Sequence, residues 1–508
     1  MKKVLLFVLS LVISSQLVFS QKLVILHTND IHSKLTGYGP ENNYTPLSIN
    51  DDNTLGGFAR LATLFANEKK INADKLLILD AGDFLMGTIF HTLEPETGFQ
   101  LNLMKNIGYD VVTLGNHEFD FGIEPLAKII NNAIKNGGTP EIMCSFLKLT
   151  DEVEHKNLQK LYNNETIKPY TIIKKNGLKI GLFSVLGYEA IESTVKANNL
   201  EFFDMIKTAK KYTKILREEE KVDIVICLSH SGFYPDENGV MYGEDLELAK
   251  KVSDIDIIIS GHTHVEAVKH IQIGKTVIVQ TGSYLKNLGR LEVDFVDGKV
   301  KVIDYKLIPI DDKILGDKIV HEEIEKFKTE INDKIFSNWG LTYSKYVAEI
   351  DFDMKTATHQ NPKAGSVGNF VADAINYYTD KYSNGTDVVV MVEGVLRENI
   401  LKGKITPADA FRVVSLGFGQ NDIWGYPLVK IYISAHELKQ LLELAIFSNS
   451  PGTDSYLYFS GVEVFYNPKK RFLNKIVKIE LNGKEIDISK KNKTLYSLTT
   501  DTYIVSFI

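Results

Sequence analysis

Seven Asp, Asn and His side chains stand directly after hydrophobic runs in the first half of the chain, and these residue types bind metal ions. Each run predicts a buried strand, and the motifs that follow are NDIH, GD, GNHEFD, SH and GHTH. In open α/β sheets, ligands bind beyond the carboxyl ends of the strands, so we expect five loops to face one cleft. The candidate metal ligands are Asp30, His32, Asp83, Asn116, His230, His262 and His264.

The number of these groups indicates two metal ions. Asp30 and His32 are spaced two residues apart just past a strand, as are His262 and His264, so each pair can point at a common centre. Seven groups are too many for one tetrahedral ion, but they fit two cations about 3.5–4 Å apart that share a carboxylate. Asp83 is the predicted bridge because its two oxygens offer lone pairs in both directions. Mixed imidazole and oxygen ligands favour Zn, Mn, Co or Fe over Ca or Mg.

The elements that must position these residues read as an α/β domain. Runs such as KLVIL, KLLIL, VDIVICL and IDIIIS are hydrophobic on both faces, which is typical of strands buried between layers. Segments with apolar residues at helical spacing, such as FARLATLFANEKK, alternate with them. We predict a first domain over residues 22–310, a charged helical linker over 311–340, and a second α/β domain over 341–508. The second domain is expected to contain a helix over 367–378 and strands near VVVMV and LVKIYI.

The composition is that of a globular protein. The 508 residues are 44% hydrophobic and 24% charged, which excludes disordered, collagen-like and coiled-coil classes. A net charge of −7 gives no general attraction for nucleic acid polymers or anionic lipids. Cys144 and Cys227 lie in apolar runs and are predicted to be buried free thiols, with a disulfide between them as the alternative.

Residues 1–20 have the layout of a secretory signal peptide. Lys2 and Lys3 precede an apolar run over residues 4–13, and small side chains near Ser20 suit cleavage. The run is shorter than the about 20 residues that a membrane-spanning helix needs. We therefore expect an exported protein, periplasmic, secreted or at the cell surface, without stable membrane insertion after cleavage; an uncleaved anchor is the alternative.

The order of the motifs resembles a known family. LHTNDIH, LGGFARLATL, LDAGDFLMGT, TLGNHEFDFG, SHSG and GHTH look like the calcineurin-like metallophosphatases. They are most similar to the secreted 5′-nucleotidase / UDP-sugar hydrolase / 2′,3′-cyclic phosphodiesterase family, and the resemblance spans almost the whole mature chain. It implies a four-layer α/β/β/α sandwich, a second α/β domain joined by a helical linker, and a two-metal ester hydrolase.

The resemblance also implies individual roles. Carried over by position, Asp30, His32 and His264 hold one metal, Asn116, His230 and His262 hold the other, and Asp83 bridges. His117 and Asp120 resemble the family's catalytic dyad. In the mechanism that we hypothesise, the two metals make hydroxide available near neutral pH and it attacks phosphorus in line. His117 draws off charge from the phosphoryl oxygens, and Asp120 orients its ring and favours the imidazolium.

The second half of the chain matches the family less closely. VEGVLRENI stands where the family has NGGGIR, so Arg397 falls on a substrate-binding Arg, and Val392 replaces the family's Asn. Lys363 falls on a further family Arg. Phe418, in LGFGQND, falls on one of two aromatic residues that sandwich the base, a stacking contact of about 1–3 kcal/mol per base.

Alternatives remain open for this region. The alternative to substrate binding is that Phe418 packs in the core and that Arg397 forms a surface salt bridge. The sequence stops at TTDTYIVSFI, where the family continues with GGDG and a second aromatic residue. We therefore expect a second domain that is incomplete at its C-terminus and altered in specificity. Tyr503 or Phe507 are candidates for the missing ring.

These observations predict a metal-dependent hydrolase of nucleoside 5′-monophosphates. The same metal set also suits a phosphodiesterase or pyrophosphatase acting on 2′,3′-cyclic nucleotides or nucleotide sugars. A non-nucleotide phosphoester is a further alternative because the base pocket departs from the family. A non-catalytic binding protein on the same fold predicts broken metal positions, and none of the seven positions is broken.

Overall fold

A computed structural model of the chain describes residues 21–505, except for 151–154, 195–199, 357–364, 418, 420–423, 449–454 and 472. The predicted signal peptide, Lys363, Phe418 and Phe507 lie outside the described residues. Among the helices that are described, none combines the length and the apolarity that a bilayer crossing requires.

The first part of the chain folds mainly into β-strands that pair into two large sheets and two small ribbons. Long runs of Val, Ile and Leu form the central strands, as the sequence predicts. The strands are β1 (Gln21–Thr28), β2 (Leu76–Asp80), β3 (Val111–Thr113), β4 (Glu141–Met143), β5 (Leu147–Lys148), β6 (Ile167–Lys168), β7 (Tyr170–Lys175), β8 (Leu178–Leu186), β9 (Glu201–Phe202), β10 (Ile224–His230), β11 (Tyr234–Pro235), β12 (Met241–Tyr242), β13 (Ile257–Ser260), β14 (Ile271–Ile273), β15 (Thr276–Val279), β16 (Asn287–Val296) and β17 (Lys299–Pro309).

Helices cover the outer faces of these sheets. Their bounds are α1 (Phe58–Asn72), α2 (Glu94–Thr97), α3 (Phe99–Ile107), α4 (Ile123–Asn136), α5 (Lys156–Asn163), α6 (Tyr188–Glu192), α7 (Met205–Lys214), α8 (Glu244–Lys251) and α9 (Lys318–Lys334). One sheet has the order β17-β16-β1-β2-β3-β4-β6, and the other has the order β14-β15-β13-β10-β8-β7.

Strand β1 shows why the sheets stack. Its residues Leu23 and Ile25 point into a core made by strands of both sheets, whereas Val24 and Leu26 point into a second core with helices α1, α3 and α4. Alternate side chains of a strand face opposite sides of the sheet, so a strand that is apolar at every position needs two cores. A third core joins the outer face of the second sheet to α7 and α8. The predicted four-layer α/β/β/α sandwich is confirmed.

Both cysteines are buried and unpaired. Cys144 belongs to the core under the first helical layer, and Cys227 belongs to the core under the second. Two sheets therefore separate them, which excludes the disulfide that the sequence left open.

The five motif-bearing strands divide between the two sheets. Strands β1, β2 and β3 pair in parallel in the first sheet, and β10 and β13 pair in parallel in the second. Their carboxyl ends lie at the same end of the sandwich, so three loops from one sheet meet two loops from the other. The sequence predicted that the five loops would meet at the edge of one open sheet. They meet instead where the edges of two stacked sheets lie side by side.

Helix α9, which the sequence places in the linker, packs into the first domain. It begins after Asp317, whose carboxylate accepts a hydrogen bond from the Val320 N–H. Its residues Val320, Ile324, Phe327 and Ile331 follow helical spacing and are buried in the first helical core. The Phe327 ring stacks on a neighbouring ring at 4.1 Å between centroids. Any hinge between the domains therefore lies beyond α9.

The second domain is a smaller α/β unit. Its strands are β18 (Ala348–Ile350), β19 (Val388–Val392), β20 (Gly403–Ile405), β21 (Leu428–Ser434), β22 (Leu457–Ser460), β23 (Val462–Tyr466), β24 (Ile476–Leu481), β25 (Lys484–Glu485) and β26 (Leu495–Asp501), and its helices are α10 (Ser366–Tyr382), α11 (Pro407–Val413), α12 (Ala435–Ser448) and α13 (Thr502–Val505). A sheet of order β21-β26-β19-β22 carries α10 on one face. The predicted helix and both predicted strands are confirmed, and the helix is longer than predicted.

Glu94, at the start of α2, makes stability depend on pH. Burial raises the pKa of its carboxyl to about 8, although the Gln100 N–H bonds to it at 3.0 Å. A carboxyl whose pKa is raised on folding lowers stability as the pH rises from about 4.5 through 8. We expect Glu94→Gln to have a higher Tm than the wild type. This difference in Tm is expected to be larger at pH 9 than at pH 6, by at least about 2–4 °C.

Calorimetry at both pH values measures this difference. The matched control is Glu96→Gln, since Glu96 is exposed on the same short helix. A shift of equal size at both pH values for Glu94→Gln would show that the carboxyl is ionised throughout.

Candidate metal centre and catalytic cleft

Strained backbone marks the loops that follow the sheet ends. A positive φ is uncommon outside glycine and costs on the order of 1–3 kcal/mol per residue. Such residues cluster at functional sites, where the surrounding structure holds them in place. Five of the seven predicted ligands adopt it: Asp30 (φ 52°), His32 (52°), Asp83 (56°), His262 (79°) and His264 (56°).

Asp30, His32 and His264 form a first group of candidate ligands. The Nε2 atoms of the two imidazoles lie 3.0 Å apart, and His264 Nε2 lies 3.5 Å from Asp30 Oδ1. His32 Nδ1 bonds to the Met86 carbonyl at 3.0 Å, which assigns the ring proton to Nδ1 and leaves the Nε2 lone pair directed at the group. All three ligand atoms lie within 4.8 Å of one another.

Asp83, His230 and His262 form a second group with the same spacing of ligand atoms. His230 Nε2 lies 3.0 Å from Asp83 Oδ2 and 3.1 Å from Asn116 Oδ1, and its Nδ1 bonds to the Ala81 carbonyl at 2.9 Å. His230 Nε2 also lies 3.9 Å from Asp30 Oδ1, which joins this group to the first.

The protonation states suit cation binding. Burial lowers the pKa of His262 to about 3 and that of His32 well below its ordinary value, so both imidazoles are neutral, the form that binds metals. Burial opposes ionisation of Asp30, but His264 and His230 outweigh it and lower its pKa to about 2. Burial lowers the pKa of His230, but Asp83 and Asp30 outweigh it and raise it to about 10. His230 is therefore protonated when no cation is bound, and a metal ion held by Asp83 and His262 would take the place of its Nε2 proton.

His117 and Asp120 are brought together by a turn of 3₁₀ helix over His117–Phe121. Side chains three residues apart eclipse in such a helix, and His117 Nδ1 lies 2.5 Å from Asp120 Oδ2. The His117 N–H donates to Asp83 Oδ1 at 2.9 Å, which ties the turn to the candidate ligands. The His117 ring lies 5.3 Å from the His32 ring, so it faces the same cleft.

Glu118 is a supporting residue that the sequence analysis missed. Its buried carboxylate accepts hydrogen bonds from the N–H groups of Asp83 (3.0 Å), Leu85 (2.9 Å) and Gly115 (2.6 Å). It therefore locks the loop after β2 to the loop after β3. The signal was present in GNHEFD, where an acidic residue follows within the motif.

Asp245 supports the loops of the second sheet in the same way. Its carboxylate accepts hydrogen bonds from the hydroxyls of Ser229 and Ser231 at 2.5–2.6 Å and from that of Ser260 at 2.5 Å. Ser229 and Ser231 flank His230, and Ser260 directly precedes the GHTH loop. No motif in the sequence pointed to Asp245, which lies in the first turn of the amphipathic helix α8.

Gly115 is required by the close approach of Asp83. A Cβ atom at this position would lie 2.2 Å from Asp83 Oδ1 and 2.6 Å from Asp83 N. We therefore expect Gly115→Ala to displace the Asp83 carboxylate, with loss of most of the bound metal and at least about a hundredfold loss of kcat.

Metal analysis and steady-state kinetics on the purified variant measure these losses. The control is Gly298→Ala, a turn position with open space around the added atom, which is expected to keep both metal and activity. Full metal content in Gly115→Ala would mean that Asp83 is not a ligand.

The second domain forms the opposite wall of the site. A cavity of about 260 Å³ has candidate ligands and His117 on one wall and residues of the second domain on the other. Arg397 Nη2 lies 3.4 Å from His32 Nε2, so this predicted substrate contact reaches the candidate ligands. The second-domain residues lining the cavity are Gly394, Arg397, Leu416, Tyr426 and Tyr503.

Tyr503 has a partner that the sequence analysis did not consider. Its ring lies 5.4 Å from that of Tyr426, and both line the cavity. The expectation that Tyr503 offers a ring to the cleft therefore has a structural basis, and Tyr426 adds a second ring beside it.

A four-layer sandwich whose strand ends gather carboxylates and imidazoles around one cleft defines the class of two-sheet metallohydrolases. Residues 23–266 match the calcineurin-like phosphoesterase family, and residues 346–506 match the 5′-nucleotidase C-terminal domain. The chain belongs to the calcineurin-like phosphoesterase family, in the form that carries a 5′-nucleotidase C-terminal domain. It is a metallophosphoesterase of the 5′-nucleotidase family, and the resemblance stated from the sequence is confirmed.

Similar proteins carry related names. The trifunctional nucleotide phosphoesterase of Bacillus subtilis is 26% identical over 95% of this chain, which spans 31% of that protein's own length. A snake venom 5′-nucleotidase of Gloydius brevicauda is 27% identical over 91% of this chain and 76% of its own. The crystal structure of a 5′-nucleotidase precursor from Thermus thermophilus has the same fold, with a TM-score of 0.71, 21% identity and coverage of 95% of this chain and 90% of that one.

Proposed function

We propose that the protein hydrolyses nucleoside 5′-monophosphates to nucleoside and phosphate with the help of two divalent metal ions. The observation that carries this proposal is the pair of ligand groups joined through Asp83 and Asp30, facing Arg397 across a cleft of about 260 Å³. The names of the relatives support the choice of a nucleotide as the substrate.

The proposed ligands fall into two sets that share one carboxylate. Divalent ions bound there supply Lewis acidity and lower the pKa of a bound water toward about 7. The donor atoms favour Zn, Mn, Co or Fe. The first set is Asp30, His32 and His264, the second is Asn116, His230 and His262, and Asp83 is the proposed bridge.

The proposed roles of His117 and Arg397 follow from their contacts. Asp120 accepts the Nδ1 proton of His117 and orients the ring, and an imidazolium at this position would donate a hydrogen bond from Nε2 to a phosphoryl or leaving-group oxygen. Arg397 offers a planar pair of N–H groups that suits two oxygens of a phosphate. Because Arg397 lies against His32, it would hold the phosphate over the candidate ligands.

Product analysis on a panel of substrates tests the proposal, with phosphate release measured for the monoesters and the nucleotide products separated for 2′,3′-cyclic AMP and UDP-glucose. The purified protein, analysed for metals and reconstituted with Zn, Mn or Co, is incubated with AMP, 2′,3′-cyclic AMP, UDP-glucose and a sugar phosphate. We expect the highest kcat/KM for AMP, and removal of metals by a chelator to abolish turnover. Release of no phosphate from any substrate, with metals bound, would refute the proposal.

A phosphodiester or pyrophosphate hydrolase is the second candidate. Two observations favour it: one relative is named a trifunctional nucleotide phosphoesterase, and Val392 stands in the place of the family's Asn. Higher kcat/KM for 2′,3′-cyclic AMP or UDP-glucose than for AMP would decide for it.

We also propose that the protein is exported. The support is the sequence of residues 1–20, with its basic start, short apolar run and small residues before Gln21. N-terminal sequencing of protein recovered outside the cytoplasm is expected to begin at Gln21.

A further inference from the structure

A buried cluster of charges joins the two domains beside the cleft. Lys34 Nζ lies 2.9 and 3.1 Å from the two carboxylate oxygens of Glu398, and both side chains are buried. Arg412 Nε lies 3.5 Å from Glu398, and Arg412 Nη1 lies 3.2 Å from Glu41. Lys34 and Glu41 belong to the first domain, whereas Glu398 and Arg412 belong to the second. Buried charges thus form part of the contact between the domains.

The ion pair sits next to the residues that face each other in the cleft. Lys34 follows His32 by two residues, and Glu398 directly follows Arg397. The Arg397 carbonyl also accepts a hydrogen bond from the Tyr284 hydroxyl of the first domain at 3.1 Å. A residue held by its own carbonyl and by its neighbour's side chain has little freedom to move, so Arg397 Nη2 stays 3.4 Å from His32 Nε2.

Loss of one charge has a different effect from loss of both. When one member of a buried pair is removed, the other loses its main partner while it stays out of water; Glu398 without Lys34 keeps the longer contact with Arg412 at 3.5 Å. The chain can relieve this cost by exposing the remaining charge to water. Here exposure requires the second domain to separate from the first. Docking of the domains is therefore linked to the presence of both charges.

We propose that Lys34 and Glu398 are positioning residues whose ion pair, completed by Arg412, holds the second domain against the first and sets Arg397 over the candidate metal ligands. The part that concerns Arg397 rests on the proposed function, whereas the docking itself does not.

Tryptophan fluorescence tests the docking without any substrate. Trp424 packs on His91 and Phe121 of the first domain, with ring centroids 5.3 and 6.2 Å apart, and Trp339 is the other tryptophan of the chain and is exposed. In a Trp339→Phe background the emission reports Trp424 alone. We expect Glu398→Gln, and separately Lys34→Met, to shift this emission to longer wavelength as the ring meets water.

Kinetics test whether the pair acts through Arg397. We expect Glu398→Gln to raise the KM for AMP by about tenfold with little change in kcat. This pattern indicates the loss of an interaction that is equally strong in the bound substrate and in the transition state. The double variant Glu398→Gln/Arg397→Met is expected to have the same KM as Arg397→Met alone, because Glu398 acts on the substrate only by positioning the Arg397 side chain, which the double variant lacks.

Arg60→Met is the matched control, because the Arg60 and Asp52 side chains form a buried pair at 2.6 Å within the first domain. It is expected to lower the Tm but to leave the Trp424 emission and the KM unchanged. Unchanged emission in Glu398→Gln and Lys34→Met would overturn the docking role. A shifted emission with an unchanged KM, or effects of Glu398 and Arg397 that multiply, would overturn the positioning of Arg397. If the wild type hydrolyses no phosphoester, the proposed function fails while the emission result still decides the docking.

Discussion

Alanine in place of His117 is expected to lower kcat by about 10²–10⁴-fold while the metal content stays at the wild-type level. The reason is that a positioned proton donor contributes an effect of that size to transfer reactions. His117 holds its proton through Asp120 at 2.5 Å and faces the candidate ligands without being one of the seven. Steady-state kinetics with AMP, together with metal analysis of the same preparation, measure both quantities.

The matched variant for this prediction is Asp120→Asn. It keeps the shape of the turn but replaces the charged acceptor of the His117 proton, so a smaller loss in the same direction is expected. A fall in kcat of less than tenfold for His117→Ala, with metals retained, would contradict the role assigned to it.

Asp83→Ala is expected to have the largest effect, with loss of both metal ions and of activity to the level of the uncatalysed background. Asp83 Oδ2 contacts His230, and the Asp83 carboxylate also lies within 4.8 Å of the ligand atoms of His32 and His117. Because Asp83 lies between the two groups of candidate ligands, its removal is expected to affect both metal ions. His264→Ala is expected to affect only the ion held by Asp30, His32 and His264. Metal content per chain, measured for both variants, distinguishes the two patterns.

Asp80→Asn is the control for Asp83→Ala. Asp80 is the last residue of β2, the strand that precedes the Asp83 loop, and it is buried. Burial raises the pKa of its carboxyl to about 8, so the carboxyl is mostly neutral at pH 7. An Asn in its place is therefore expected to keep the metals. Full metal content in Asp83→Ala would contradict the proposed bridge.

The strand pattern was sufficient to predict an α/β first domain and the convergence of the loops, whereas the four-layer arrangement of two sheets was implied by the family resemblance. Strands that are hydrophobic at every position can only be buried on both faces, and a motif directly after such a strand must lie at the sheet's carboxyl edge. Asp30, His32 and His264 show the strength of this argument, since residues more than 230 positions apart lie within 4.8 Å.

Contacts between distant surfaces could not be predicted in this way. Lys34 and Glu398 are 364 residues apart, and nothing in the sequence around either residue indicates the other as its partner. Asp245 lies on a polar stretch of helix, where a charged residue is ordinarily solvated. The charged composition of α9 favoured a solvated linker, yet its four apolar positions are enough to bury one face.

The packing of α9 determines where the polypeptide can be divided. A fragment that stops at residue 310 would leave the rings of Phe90 and Phe99 without Phe327, which stacks on both. Tyr343, beyond the helix, still donates a hydrogen bond to Glu41 at 2.6 Å. Chimeras that exchange the substrate half among relatives therefore need their junction after Tyr343, so that the catalytic half keeps its own helix.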